Sequence, residues 1–310
     1  MALTYDPEKR ADNLFSAFLQ GEFLIHPDWK LTAGTKVEHN DYTGFEIQPT
    51  LSGLWTINPQ HSLWAAISRA VRTPSRSDAD GRYSSIDPIS FLRINAIGSE
   101  NYQSENLLAY ELGYRFNLAQ QFLLDTSLFF NQYDELRNID IDLENSDFST
   151  IPPIMLFKSN NKMSGEIFGV ELATHWQILD TWRLVGTYSY LQVQLHLDDS
   201  ITQSLLGEME EDETPHHQAT LRSLLTLPYN LEFDAALYYV DNVPQRNIAH
   251  YLRTDIRLGW KPISALDLSL GVRNLFDNQH REFGDVFSGN TVIASEVPRT
   301  VYLQFKYQFE

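Results

Sequence analysis

The sequence predicts an all-β fold, an antiparallel transmembrane β-barrel to which the chain contributes roughly thirteen strands. Apolar and polar residues alternate in one segment after another, as they do in strands whose two faces meet different surroundings. The connections between these segments alternate between short turns and mostly long loops, which is typical of membrane-spanning barrels. Charged residues recur on the polar side of nearly every segment, and the dry core of a β-sandwich could not bury so many charges.

The alternation is clearest in the last segment, residues 301–309. One face carries Val301, Leu303, Phe305, Tyr307 and Phe309, and the other carries Tyr302, Gln304, Lys306 and Gln308. In a soluble sandwich the apolar face would pack on a second sheet, whereas in a barrel it would contact lipid, with aromatic residues at the membrane interfaces. The polar residues on the opposite face favour the barrel, because a water-filled or plug-filled lumen accommodates them.

The predicted strands follow one another along the chain with no convincing helix between them. They comprise residues 15–23, 29–38, 45–57, 63–72, 108–116, 122–133, 168–176, 182–190, 217–227, 231–240, 248–260, 266–275 and 301–309. Pro49 counts against a central position for the third strand, since proline cannot donate a hydrogen bond to a ladder. The alternation continues on both sides of Pro49, so this segment is still interpreted as a strand.

Long polar segments interrupt the strands and are interpreted as loops. They comprise residues 73–104, 137–163, 198–215 and 277–299, whereas the connections at the opposite strand ends are short, as at 26–28, 58–60 and 179–181. Barrels of this type place their long loops outside the cell and their short turns in the periplasm, and the same orientation is predicted here. No linker or change of composition divides the chain, so residues 1–310 are predicted to form one piece of one sheet.

Composition excludes several classes of protein. The chain has 310 residues and a formal charge of -18, which argues against nucleic acid as a partner because phosphate binding needs a basic surface. It has no cysteine, and therefore neither a disulfide framework nor a thiolate metal site. No apolar run is long enough for a membrane-spanning helix, and the first ten residues contain no hydrophobic core of a signal peptide.

Three segments have sequence features that are more specific than the alternation of apolar and polar residues. Residues 63–75 (LWAAISRAVRTPS), 105–115 (ENLLAYELGYR) and 270–277 (LGVRNLFD) resemble successive strand segments of the TonB-dependent outer-membrane receptors. Residues 169–172 and 215–221 also fit, and the order and spacing match over nearly the whole chain. The chain is therefore identified as similar to the C-terminal part of the β-barrel domain of that family. Glu310, which follows Phe309, departs from the family's usual aromatic terminus.

The resemblance implies a location, partners and a function. The family's barrels have about 22 strands, so the whole chain is expected to be a partial barrel domain without the N-terminal barrel half and the plug domain. The implied location is the outer membrane of a Gram-negative bacterium, in contact with its lipid. The implied function is uptake of a small-molecule or metal-chelate substrate (a ferric siderophore, cobalamin or a glycan), coupled to the TonB complex through the plug. An energy-independent porin or a surface-binding barrel is the alternative.

The odd number of predicted strands bears on whether the chain can close into a barrel. Thirteen antiparallel strands leave the first and last running in the same direction, so direct closure would need a parallel seam. Open edges in lipid would leave unpaired backbone groups, at several kcal/mol each. The chain is therefore not expected to work as a transporter by itself.

The ligand contacts are expected in the long loops, which hold cationic, aromatic and amide side chains. The candidates are Arg82, Tyr83, Arg93, Tyr102, Arg137, Asn138, Arg281 and Phe283. Taken one at a time, each of these residues is better explained by ordinary solvation of a loop.

No metal, cofactor or catalytic residue is predicted. Residues 78–81 resemble the beginning of a calcium loop but lack the later glutamate that the spacing requires. The acidic run 208–213 and the pair His216-His217 are interpreted as a solvated loop and a strand start. Neither a Gly-x-Ser-x-Gly nor a His-Glu-x-x-His motif is present, so an enzyme is not expected.

Overall fold

The computed structural model describes residues 2–119, 121–201, 207–284 and 295–309, most of which lie in β-strands. The strands are β1 (Ala2–Tyr5), β2 (Leu14–His26), β3 (Trp29–Asn40), β4 (Gly44–Asn58), β5 (His61–Arg72), β6 (Gly81–Ile86), β7 (Arg93–Ile97), β8 (Glu105–Leu118), β9 (Phe122–Asp147), β10 (Ile154–Leu179), β11 (Trp182–Leu197), β12 (His217–Leu227), β13 (Leu231–Val240), β14 (Tyr251–Ile263), β15 (Leu266–Arg273), β16 (Gln279–Arg281), β17 (Glu296–Pro298) and β18 (Thr300–Tyr307). The described helices are the short α1 (Arg76–Asp80) and three 3-10 helices, Glu208–Glu213, Pro228–Asn230 and Pro244–Arg246. None of these helices has the length and apolar character needed to span a membrane.

Sixteen of the strands form one sheet, and a continuous path of thirteen runs through it in the order β2-β3-β4-β5-β8-β9-β10-β11-β12-β13-β14-β15-β18. Neighbours along this path are antiparallel. All of them are also neighbours in sequence except the pairs β5–β8 and β15–β18. The predicted all-β class and its thirteen strands are therefore confirmed.

Cross-strand pairing brings the apolar residues of neighbouring strands onto one common face. Ala65 lies opposite Leu112, Leu112 opposite Leu128, and Leu128 opposite Val170. Large side chains on this face remain exposed in the described chain, among them Leu112 at 43% and Leu303 at 78%. An apolar surface that crosses the whole sheet is unfavourable in water and favourable in lipid. This outer face has the character of the membrane-facing side of a barrel wall.

Aromatic residues mark both borders of the outer face. At the short-turn end, Trp29 and Trp55 stack with ring centroids 5.0 Å apart, and Phe122 meets Trp176 edge-on at 6.3 Å. On β4 the exposed rings run from Phe45 near one end to Trp55 near the other. Ten residues of strand rise about 33 Å, which is about 25 Å along a barrel axis at a tilt of about 40°. That height matches the apolar band of a membrane barrel.

Pro49 occupies a central strand without leaving a gap in its ladders. The β3–β4 ladder runs through the pair Thr35–Pro49, but the β4–β5 ladder ends at Thr50–Ser68. The ladder with β5 thus stops beside Pro49, where the hydrogen-bond donor that proline lacks is not required.

The long-loop end of the sheet contains more strand than the sequence predicts. β9 and β10 are 26 residues each, so the interpretation of residues 137–163 as a loop is wrong. Within the predicted loop 73–104, β6 and β7 form a hairpin whose β7 pairs in parallel with β10, Arg93 opposite Ile154. β1 adds to β6. The pairs β1–β6 and β7–β10 join segments that are distant in sequence, and the Asp and Asn residues in the extensions of β9 and β10 have low strand propensity.

Within the described residues, β2 and β18 each pair on one side only and form the two edges of the path. The side chains of β2 are exposed on both faces, and Phe18 reaches 85% exposure. Parts of the predicted loops 198–215 and 277–299 and the final Glu310 lie outside the described residues.

Candidate ligand-binding site

The face of the sheet opposite the outer face, here the inner wall, is polar. Asp125, Glu171, Thr187 and Gln218 line a depression of about 500 Å³ on it. Trp64 lies at the border of this depression, with its indole directly over Gly113.

Ion pairs connect the strands of the inner wall from β13 to β15. Arg257 lies 3.0 Å from a carboxylate oxygen of Glu232 and 2.9 Å from one of Asp234, and Lys261 lies 2.7 Å from Glu232. Arg253 pairs with Asp255 at 2.7 Å within β14. The cations of this part of the wall are therefore matched by carboxylates, as expected where charged side chains line a lumen.

The first cavity of the long-loop end lies beneath α1, has a volume of about 360 Å³ and is mostly apolar. Leu3, Tyr83, Ile94, Ala96, Ile97, Ile139 and Phe157 provide apolar and aromatic surface, and Ser77, Asp78, Gly81, Gly98, Arg137 and Ser159 complete the lining. Ser159 is nine-tenths buried, and its hydroxyl has no hydrogen-bond partner among the described residues. An apolar cavity with a few polar groups is the usual form of a small-molecule site.

A second cavity of about 380 Å³ shares Arg137 and Ile139 with the first. Glu105, Leu136, Met163, Leu195 and Glu210 complete its lining. Arg137 is exposed, and no carboxylate lies within ion-pair distance of its guanidinium in the described part of the chain. Arg137 therefore contributes a positive charge to both cavities.

The charge of Arg137 affects the pKa of two nearby carboxyls, those of Asp78 and Glu210. Burial would raise the pKa of Asp78, but hydrogen bonds from the hydroxyl and N–H of Ser75, with Arg72 and Arg137 nearby, hold that pKa below its ordinary value. Burial and the neighbouring Glu213 raise the pKa of Glu210, against the opposing effect of Arg137. The charge of Arg137 therefore lowers the pKa of carboxyls in both cavities.

Two contacts fix the elements around the cavities. Ser75 caps α1 in a capping box: its hydroxyl accepts from the Asp78 N–H at 3.3 Å, and its own N–H donates to the Asp78 carboxylate at 2.9 Å. Arg72 at the end of β5 donates from Nε to Glu105 at 2.7 Å, and the Glu105 carboxylate also accepts the Arg137 N–H at 3.0 Å. β5, β8 and β9 are thereby joined at the entrance to the second cavity.

The structure brings together some of the sequence-predicted contacts and separates others. Tyr83 on β6 and Arg137 on β9 line the first cavity. Asn138 on β9 is fully buried and donates to Asp140, and Tyr102 is 3% exposed with no partner for its hydroxyl among the described residues.

The other predicted contacts lie away from the linings of the two cavities. Arg82 on β6 lies 3.9 Å from Asp6, and Arg93 begins β7. Arg281 on β16 lies 3.5 Å from Glu296, and Phe283 is 49% exposed. Most of the eight residues therefore lie on strands rather than in irregular loops.

Sequence reasoning missed the residues that give the first cavity its shape and polarity. Asp78 was noticed only as part of a calcium-like motif, and Phe157 and Ser159 lay in a supposed loop. The alternation of Ile139 and Ile141 with Asn138, Asp140 and Asp142 was the available signal for the extension of β9. Within the described ranges, no three His, Asp or Glu side chains are grouped as a metal site would require.

An apolar outer face and a polar inner wall define part of the wall of a membrane-spanning β-barrel, and ligand-sized cavities lie at its long-loop end. The sequence matches the family described as TonB dependent receptor-like, beta-barrel over residues 2–275, and the chain belongs to this family. Receptors with this barrel are outer-membrane proteins of Gram-negative bacteria.

Solved structures share the fold over nearly the whole chain. A mutant of the ferric enterobactin receptor PfeA from Pseudomonas aeruginosa has a TM-score of 0.74 and 17% identity, over 96% of this chain and 45% of that one. The siderophore receptor PirA from the same organism gives 0.68 and 17%, over 96% and 49%. The ferric-catecholate import receptor Fiu from Escherichia coli gives 0.71 and 14%, over 96% and 45%. The chain thus spans about half the length of these receptors, which are importers rather than enzymes.

Proposed function

We propose that this chain is the later part of the barrel of a TonB-coupled outer-membrane receptor for ferric siderophores. The observation that carries the proposal is the shared fold: 96% of the chain superposes on a ferric enterobactin receptor with a TM-score of 0.74. The family match supports the TonB-coupled class. The solved structures named above are receptors for ferric enterobactin, siderophores or ferric catecholates, which favours a ferric siderophore over cobalamin or a glycan.

The proposed mechanism assigns a task to each surface. The outer face contacts outer-membrane lipid, and the two cavities at the long-loop end, with Tyr83 and Arg137, capture the ligand from outside the cell. The inner wall surrounds a plug domain, which TonB displaces when energy is supplied. The free edges of β2 and β18 pair with the remaining strands of the complete barrel, because unpaired backbone groups are costly in lipid.

Uptake of radiolabelled iron tests the proposal. Deletion of the complete gene should abolish uptake of at least one ferric siderophore, and expression of that gene should restore it only when TonB is present. An energy-independent porin would instead support uptake without TonB, and a surface-binding barrel would bind the chelate without importing it.

A further inference from the structure

We propose, resting on the proposed uptake function, that this receptor selects ferric chelates that are neutral or positively charged and disfavours anionic ferric catecholates. Two observations meet at the long-loop end: an excess of negative charge, and two cavities whose described linings hold one cation, Arg137, together with the carboxylates Asp78, Glu105 and Glu210.

The negative charge of the chain is concentrated at the long-loop end. The described segments there are residues 2–12, 41, 72–105, 132–165, 196–201, 207–216, 241–250, 273–284 and 295–299. They hold 26 acidic and 13 basic residues, a difference of -13 out of the -18 of the whole chain. The membrane-spanning strands and the short turns are therefore close to neutral.

Many cations of this end are already engaged. The ion pairs are Arg10–Asp80, Arg72–Glu105, Arg76–Asp80, Arg82–Asp6, Arg246–Glu213 and Arg281–Glu296, all within 4.0 Å. In contrast, the described part of the connection from β11 to β12 holds seven carboxylates and no Lys or Arg. Six of the thirteen cations of this end are thus paired with carboxylates, and the described part of the β11–β12 connection offers an approaching anion no Lys or Arg.

The cavities themselves are poorly suited to an anion. Asp78 shares the first cavity with Arg137, and Glu105 and Glu210 share the second. Ile139, Phe157 and the unpartnered hydroxyl of Ser159 offer apolar surface and a hydrogen bond. Desolvating a multiply charged anion is unfavourable unless cations compensate its charge, and the described linings of the two cavities provide one guanidinium, that of Arg137.

The negative charge of the long-loop end also acts on charged ligands before they reach the cavities. Clefts lined with one sign of charge raise the local concentration and the association rate of oppositely charged ligands by about 10- to 1,000-fold. The effect extends about 8 Å at physiological ionic strength, so it acts as the ligand enters. The solved receptors for ferric enterobactin and ferric catecholates share only 14–17% identity with this chain. At that identity, the charge of their ligands does not predict the charge of the ligand that this chain binds.

The test compares three probes on the complete receptor containing this chain, purified in detergent. The probes are the cationic ferrioxamine B, the neutral ferrichrome and the anionic ferric enterobactin, with binding measured by quenching of tryptophan fluorescence. Ferrioxamine B or ferrichrome should bind at least about tenfold more tightly than ferric enterobactin. Added salt should weaken binding of ferrioxamine B and leave ferrichrome unchanged. Tightest binding of ferric enterobactin, weakened by salt, would overturn the inference.

Charge-reversal variants locate the effect. Glu144→Lys combined with Asp199→Lys changes two exposed positions at the long-loop end, and Asp28→Lys combined with Asp180→Lys is the matched control at the short-turn end. The first pair should shift the preference between the cationic and anionic probes by about tenfold toward the anion, and the control should not. Equal shifts in the two pairs would contradict selection by the long-loop end.

The outcomes also separate this inference from the proposed function. Tight binding and TonB-dependent uptake of ferric enterobactin alone would leave the receptor function standing and refute only the charge preference. If the folded receptor bound none of the three chelates, both the siderophore function and the charge preference would be wrong.

Discussion

Arg72 and Glu105 join the last residue of β5 to the first residue of β8, with Arg72 Nε 2.7 Å from a Glu105 carboxylate oxygen. This pair closes the base of the connection 73–104, which carries α1, β6 and β7. Glu105→Gln should therefore loosen that connection, with a cost of about 1 kcal/mol because the Arg72 side chain is half exposed. Limited proteolysis should cut residues 73–104 faster in the variant. Asp125→Asn, which removes the Arg115 pair on the inner wall, is the control, and equal acceleration in both would contradict the assignment.

Adjacent residues on β8 test the two faces of the wall. Leu112 lies on the outer face and Glu111 on the inner wall, and both are exposed. Leu112→Arg should destabilise the inserted barrel by about 2–4 kcal/mol, whereas Glu111→Arg should cost much less. The stability of both variants is measured in the complete protein by urea unfolding, with the folded fraction read from the heat-modifiable shift on gels. Similar losses would mean that the faces are wrongly assigned.

A close approach on the inner wall makes Gly113 sensitive to substitution. A Cβ there would come within 2.0 Å of Trp64 Nε1, whereas a Cβ at Gly53 would meet no atom within 4 Å. Gly113→Ala should displace the indole and destabilise the barrel by about 1–3 kcal/mol. Trp64 fluorescence should shift in this variant and not in Gly53→Ala. An unchanged spectrum in both variants would show that the indole does not need this space.

The pKa of Glu210 is raised by burial and by Glu213, and this predicts a pH dependence. For a carboxyl whose folded pKa is raised, the stabilising contribution is fully present below the unfolded pKa and is lost as pH rises through the folded pKa. Glu210→Gln should therefore slow hydrogen exchange of residues 208–213 at pH 7 and have no effect at about pH 4. Asp199→Asn, at an exposed position, is the control. A larger effect at the acidic pH would reverse the sign and refute the prediction.

The orientation of the wall can be tested with single cysteines, because the chain contains none. Ser90→Cys and Ser200→Cys lie at exposed positions of the long-loop end, and Asp180→Cys and Asn230→Cys lie in short turns. An impermeant thiol reagent applied to whole cells should label the first two and not the last two. The reverse pattern would invert the proposed orientation.

Two-residue alternation was sufficient to predict the membrane-spanning strands, because each strand separates lipid from a polar lumen. The segment 45–57 coincides with β4 within one residue at each end, even across Pro49. The extension of β9 was missed because its Asp and Asn residues have low strand propensity, and the hairpin β6–β7 because it is held by pairing as distant as Arg93 with Ile154. Tyr83 and Arg137 were predicted as ligand contacts. Asp78 and Ser159, which line the same cavity, were not, because that cavity exists only when these distant strands are paired.

The order of strands along the sheet has a kinetic consequence. Most strands of the thirteen-strand path pair with their neighbours in sequence, several of them through short turns, and such local pairing favours rapid formation. Along this path, the seams β5–β8 and β15–β18 join strands that have other strands between them in sequence. Assembly should proceed hairpin by hairpin between these seams, and the slow steps should be the ordering of the β6–β7 hairpin and the docking of the terminal strand.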